Sequence, residues 1–294
     1  MLYIIVGPTC SHKTSAACML SDYLNEAKII NIDAFQIYKG MDIGTAKIEK
    51  DSKYYNRHLL LDIKEPSESY SIKEFQDDFR NILKEYSHEK DLIAVGGSGL
   101  YLAAAIYDYH FEEEKVEVDT SDLEDMDNES LYELLKNIDP KSAEGIHPNN
   151  RKRVMRAIAI ARSGTLKSDN AMEIKHTPYL SKDSYKLFFI NPNREELYKN
   201  INERVDEMFN QGLVDEVKSL LNKNNLSLTA SQAIGYKEVI SYLNGESDLE
   251  STKELIKKRS RNYAKRQVTF FKHQFESIEV KDYKEVLEMI KNER

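Results

Sequence analysis

Two cysteines in 294 residues, Cys10 and Cys18, are too few and too close together to frame a secreted domain. No apolar run approaches the roughly 20 residues that a membrane-spanning helix needs. The N-terminus does not read as a signal peptide, because Leu2–Val6 is short, has no basic residues before it and runs into Gly7 and Pro8. These absences predict a cytoplasmic protein with no membrane partner. Nor is there an excess of positive charge. The formal net charge is −8, which by itself disfavours nucleic acid as a partner.

What is present is an ordinary globular balance, 40% hydrophobic and 31% charged, which argues against disorder. The charge is unevenly placed. Residues 112–129 hold ten acids and one lysine, whereas residues 255–274 hold seven Lys/Arg, one His and no acid. The net figure hides this asymmetry. Taken alone, the acidic stretch reads as a solvated linker.

Periodicity predicts strands at Leu2–Val6, 28–32, 58–63, 91–95 and Tyr185–Ile190. Helices are expected at 14–24, from 71 onward behind the capping box Ser71-Ile72-Lys73-Glu74, and from Leu100. Further helices are expected at 129–138, 149–162 (with Gly164 as the terminator), 194–210, 213–221, 231–243 and 252–274. Strands alternating with helices imply an α/β fold with a parallel sheet. The simplest organisation is a P-loop NTPase-like core, residues 1–106 and 183–294, interrupted by a helical insertion at 107–182.

Gly7-Pro8-Thr9-Cys10-Ser11-His12-Lys13-Thr14 follows a strand and opens a helix, the context a phosphate-binding loop requires. Backbone N–H groups and a helix N-terminus face the anion there. Lys13 would reach the phosphates and the Thr14 hydroxyl would ligate Mg²⁺. His12 stands where glycine is usual, and histidine tolerates the left-handed region that this position demands. The loop leaves the reaction open, since ATP-binding kinases, other nucleotide-binding NTPases and transferases all use it. Asp33, closing the second strand, could hold Mg²⁺ or act as a base. Ligands of such sheets lie beyond the C-terminal strand ends, so residues 7–14, Asp33 and Gly96-Gly97-Ser98-Gly99 should share one crevice.

The run Asp33-Ala34-Phe35-Gln36-Ile37-Tyr38-Lys39-Gly40-Met41-Asp42-Ile43-Gly44-Thr45-Ala46-Lys47 resembles a signature of the tRNA dimethylallyltransferases, also called tRNA isopentenyltransferases. Supporting matches follow in order. They are Gly7-Pro8-Thr9, His58-Leu59-Leu60-Leu61-Asp62-Ile63 with Tyr70-Ser71 and Phe75, and Gly96 to Tyr101. His147-Pro148-Asn149 with Arg153, Arg156-Ala157 and Ser163-Gly164 comes next, then Gln232 to Glu238 and Arg261 to Gln267. Ala34 differs from the serine usual in that family.

The resemblance implies transfer of a dimethylallyl group from dimethylallyl diphosphate to N6 of the adenosine 3′-adjacent to the tRNA anticodon. Asp33 would be the base, Thr9 would hydrogen-bond the diphosphate or position the reacting centre, and Arg204 would clamp the diphosphate. Gly7, Pro8, Cys10, Ser11, His12, Lys13 and Thr14 complete the diphosphate loop, with Mg²⁺ as cofactor. The anticodon stem-loop would meet Asp33, Ala34, Phe35, Gln36 and Ser98, with Gln36 reading bases through its amide. Lys152, Arg153 and Arg156 of the insertion, and Lys265 and Arg266 with Lys257, Lys258, Arg259 and Arg261, are expected on RNA phosphates. A monomer is expected. The alternatives are prenylation of free adenine nucleotides, phosphoryl transfer, or a tRNA-binding homologue with weak or lost catalysis. The RNA-gripping cations favour tRNA.

Overall fold

Five-residue apolar runs with no polar interruption can be satisfied only by burial on both faces, and the two central strands have that composition. In the computed structural model, which describes residues 1–86, 91–108, 120–162, 177–223 and 226–293, β1 (Leu2–Val6) and β4 (Leu92–Gly96) are buried at every position. They belong to a six-stranded sheet ordered β3-β2-β4-β1-β5-β6, in which every pairing is parallel. The others are β2 (Ile29–Ile32), β3 (His58–Leu59), β5 (Tyr185–Ile190) and β6 (Ile278–Val280). Register sets the working edge: Val6 and Ile32 both pair with Gly96, so three strands end level.

Helices cover both faces. On one face, α1 (Lys13–Tyr23) buries Ala16, Ala17 and Leu20 against Ile5, Ile29 and Ile93, with Val286 and Ile290 of the last helix closing the layer. On the other, α2 (Ile72–Tyr86) starts at the expected capping box. Ser71 N donates to Glu74 Oε2 at 2.8 Å and Glu74 N to Ser71 Oγ at 3.1 Å. Its Phe75 stacks on Tyr101 of α3 (Gly99–Ile106), ring centroids 4.3 Å apart.

The chain divides into two compact units, residues 1–105 with 180–294, and residues 106–179. The smaller unit holds α4 (Ser121–Glu124), α5 (Asn128–Ile138), α6 (Pro140–Glu144) and α7 (Arg151–Arg162) around Leu123, Leu131, Leu135, Val154 and Ile158. Its termini meet where Tyr107 bridges Pro178 antiparallel. Within the described residues the acidic stretch is not a linker. Leu123 is fully buried, and Asp127 caps α5 by accepting from Ser130 N at 2.8 Å. Residues 112–119, Ser163 and Gly164 lie outside the described residues.

The larger unit continues with α8 (Arg194–Asn210), α9 (Leu213–Lys223), α10 (Tyr236–Leu243), α11 (Leu249–Gln274) and α12 (Glu285–Glu293). Two expectations need correction. The 231–243 helix starts only at Tyr236, because Gly235 at φ 98° breaks it from the 3₁₀ turn Ala230–Gln232. The 58–63 strand stops after Leu59, because Leu60 and Asp62 turn to positive φ.

Candidate active site

The residues beyond the C-terminal ends of β1, β2 and β4 line one cleft of about 420 Å³. Residues 9–15, Asp33, Gln36, Gly96, Gly97, Arg204, Tyr263 and Gln267 contribute to its wall. Gly7 and Pro8 form the base of the loop. The Pro8 carbonyl accepts from Ser11 Oγ at 2.8 Å and from Lys13 Nζ at 2.5 Å. Cys10 and His12 both turn left-handed, at φ 61° and 58°. That alternation curls successive N–H groups toward one concavity, which continues into the N-terminus of α1. His12 does fill the left-handed position expected of it, and its ring rests 5.2 Å from that of Tyr283.

Two cations face this concavity. Burial lowers the Lys13 ammonium to about 8, despite the opposing fields of Cys10 and Asp33. Burial likewise lowers the Arg204 guanidinium on α8. Among the described residues neither forms an ion pair with a carboxylate. Desolvated cations that form no ion pair are costly and suit a site built for an anion.

Asp33 lies opposite. Its Oδ1 accepts from the N–H groups of Phe35 (2.9 Å) and Gln36 (3.3 Å), which fixes the carboxylate and leaves Oδ2 for a ligand. Ser98 Oγ is occupied internally, accepting from Ala34 N at 3.2 Å. Gln36 has half of its amide engaged within the protein. Its Nε2 donates to the carbonyls of Thr45 (3.0 Å) and Ala46 (3.4 Å), so Oε1 is the edge it presents.

Gln267 and Tyr263 complete the site, and sequence alone did not single out either one. Gln267 Oε1 accepts from Thr9 N at 2.9 Å while Nε2 donates to Gly97 O at 2.9 Å. One amide thus staples the phosphate loop to the glycine turn after β4. A Cβ on Gly97 would lie 2.4 Å from that amide nitrogen, so a larger residue there would displace the staple. Burial and then the Asp33 charge push the Tyr263 hydroxyl up to about 12. The signal was available: Gln267 is a buried polar residue on the apolar stripe of Ile256, Ala264 and Phe271.

The basic run of α11 is split. Lys257 pairs with Asp206 at 2.8 Å and with Glu254 at 3.2 Å, and Arg259 pairs with Glu238. Arg261 donates to Asn202. These three are engaged within the protein, where Asp206, Glu238 and Asn202 tie α11 to its neighbours. Lys265 and Arg266 are exposed and flank a second depression with Asn262, Thr269, Phe270 and His273. In the smaller unit, Lys152, Arg153 and Arg156 are exposed on α7.

Comparison with known proteins places this geometry. The family model described as IPP transferase matches residues 36–274. The tRNA dimethylallyltransferase of Anoxybacillus flavithermus is 43% identical over 274 residues, covering 92% of this chain and 87% of the relative. The crystal structure of a tRNA delta(2)-isopentenylpyrophosphate transferase from Staphylococcus epidermidis is 35% identical with a TM-score of 0.70, covering 100% and 99% of the two chains. A eukaryotic dimethylallyltransferase crystallised acting on tRNA aligns at a TM-score of 0.77 and 27% identity, covering 96% of this chain and 74% of that one.

Proposed function

We propose that this chain, which belongs to the IPP transferase family, is a tRNA dimethylallyltransferase that moves a dimethylallyl group from dimethylallyl diphosphate to N6 of the adenosine 3′-adjacent to the anticodon. The observation that carries the reading is the pairing, in one cleft, of two half-buried, desolvated cations that form no carboxylate ion pair among the described residues with a carboxylate held through its Oδ1. In the reaction the allylic C–O bond breaks, diphosphate departs and the N6–C bond forms. The amine surrenders one proton. Lys13 and Arg204 stabilise the growing charge on the leaving diphosphate, and Asp33 Oδ2 takes the proton. Thr9 presents its hydroxyl to the same leaving group, its N–H being held by Gln267.

A hydroxyl at the first turn of α1, with no cluster of three or more His, Cys, Asp or Glu among the described residues, fits a cation that keeps its waters and binds chiefly through the substrate. Thr14 would hold Mg²⁺ in that way, and the ion would supply further charge neutralisation to the diphosphate. Lys152, Arg153, Arg156, Lys265 and Arg266 would meet phosphates of the anticodon stem-loop, and the adenine would leave its stack to enter the cleft. The enzyme would act as a monomer in the cytoplasm, where its substrate is found; no described helix is long and apolar enough to cross a membrane.

The test supplies Mg²⁺ and dimethylallyl diphosphate with either an unmodified tRNA carrying adenosine 3′ of the anticodon or AMP. Mass spectrometry of the nucleosides should find prenyl-adenosine in the tRNA arm alone. Product on AMP with none on tRNA would assign the chain to free-nucleotide prenylation instead.

A further inference from the structure

Asp33 and Gln36 sit on a loop with no helix or extended strand between β2 and the 3₁₀ turn Tyr55–Arg57. An irregular segment holds functional groups in place only if its backbone donors are tied down elsewhere. Here one carboxylate does much of that. Glu216 of α9 accepts from three successive N–H groups: Asp42 (3.0 Å) and Ile43 (2.7 Å) on Oε2, and Gly44 (3.2 Å) on Oε1. Oε1 also accepts from the Tyr236 hydroxyl at 2.6 Å. The Tyr236 ring packs so closely that a Cβ on Gly44 would lie 2.4 Å from it. The next two carbonyls, Thr45 and Ala46, are those that receive the Gln36 amide.

We infer that Glu216, set by Tyr236, is a positioning residue for base recognition: by fixing the 42–44 turn it fixes the carbonyls that aim Gln36. Glu216 does not line the cleft, so it acts through the turn and not on the diphosphate. The far end of the loop is anchored independently. Buried Lys47 donates to Tyr38 O (2.7 Å), Asp42 Oδ1 (2.7 Å) and Asp62 Oδ1 (2.6 Å). The loop therefore keeps its path when Glu216 is neutralised, and only its fine register relaxes. The inference rests on the tRNA reading above.

The experiment titrates tRNA and dimethylallyl diphosphate separately for the wild type, Glu216→Gln, Tyr236→Phe, Gln36→Ala and the double variant Glu216→Gln/Gln36→Ala. Glu216→Gln should raise the KM for tRNA roughly tenfold, the weight of hydrogen bonds to a charged acceptor, and leave the donor KM within about twofold. Tyr236→Phe removes one hydrogen bond and should move the same constant about threefold. On top of Gln36→Ala, the Glu216 change should add little, because its effect runs through that side chain. Equal increases in both KM values, or full additivity in the double variant, would overturn the inference. Filter binding of tRNA to the same five proteins gives the same ratios without turnover. An inactive wild type would thus sink the functional reading and still leave this one decided by binding.

Discussion

Cations in the cleft and cations in the smaller unit are used in opposite ways. Lys13 and Arg204 are half-buried, desolvated and form no ion pair with a carboxylate among the described residues. On α7, Arg162 pairs with Asp122 through two hydrogen bonds of 2.8 and 2.7 Å. Arg151 turns its guanidinium onto the carbonyls of Leu123 (2.7 Å), Glu124 (2.6 Å) and Met126 (2.5 Å). Those two arginines finish a fold, while Lys152 and Arg153 beside them stand in solvent. Three environments for one kind of charge correspond to three energetic regimes. A desolvated, unpartnered cation exerts a strong field on a bound anion. A paired one is neutralised, and a solvated one interacts weakly and is screened by salt.

That contrast is tested first at the acid facing the cleft cations. Asp33→Asn keeps the Oδ1 that accepts from Phe35 and Gln36, so the loop should hold its shape. Single-turnover product formation should fall by ~10²–10⁴-fold with affinity for both substrates within about twofold, as for loss of a general base. Equal losses of binding and turnover would make Asp33 a structural residue.

The pH dependence of donor binding comes next in size. Only protonated Lys13 attracts diphosphate, and its free-enzyme value is lowered to about 8. Affinity for the donor should therefore be full below that value and decline as pH rises through it, approaching about tenfold per unit. Lys13→Arg should flatten the profile up to about pH 10, because a guanidinium stays protonated there. An unchanged decline would assign the titration to another group.

The smallest effects belong to the solvated cations. Lys152→Ala or Arg153→Ala should weaken tRNA binding a few-fold and lower the salt-dependence slope by about one for each phosphate left without its cation. An effect on the donor KM would break the distinction between the two regions.

Legibility in the sequence tracked locality. Uninterrupted apolar runs such as Leu2–Val6 and a two-residue signal such as Ser71 with Glu74 report short-range physics, and those elements form where expected. His12 was readable as a left-handed residue because the loop pattern demands that conformation. Features decided by distant partners were not legible. The Thr9–Gln267 hydrogen bond spans 258 positions, and Glu216 meets Asp42 across 174. The α11 cations looked uniform because the carboxylates that neutralise them, Asp206 and Glu238, lie on other helices. The acidic stretch misled for a related reason: its composition is that of a linker, but Leu123 ties its described part, residues 120–129, into a core.

Lys13 and Arg204 are expected to hold the leaving diphosphate. Inhibition by inorganic diphosphate, measured against each substrate in the wild type and Arg204→Ala, tests it most directly. Inorganic diphosphate should compete with dimethylallyl diphosphate but not with tRNA, and its inhibition constant should rise ~10²-fold in Arg204→Ala, the size expected when one donor to a charged group is removed. Diphosphate that competes with tRNA instead, or inhibits both proteins equally, would contradict it.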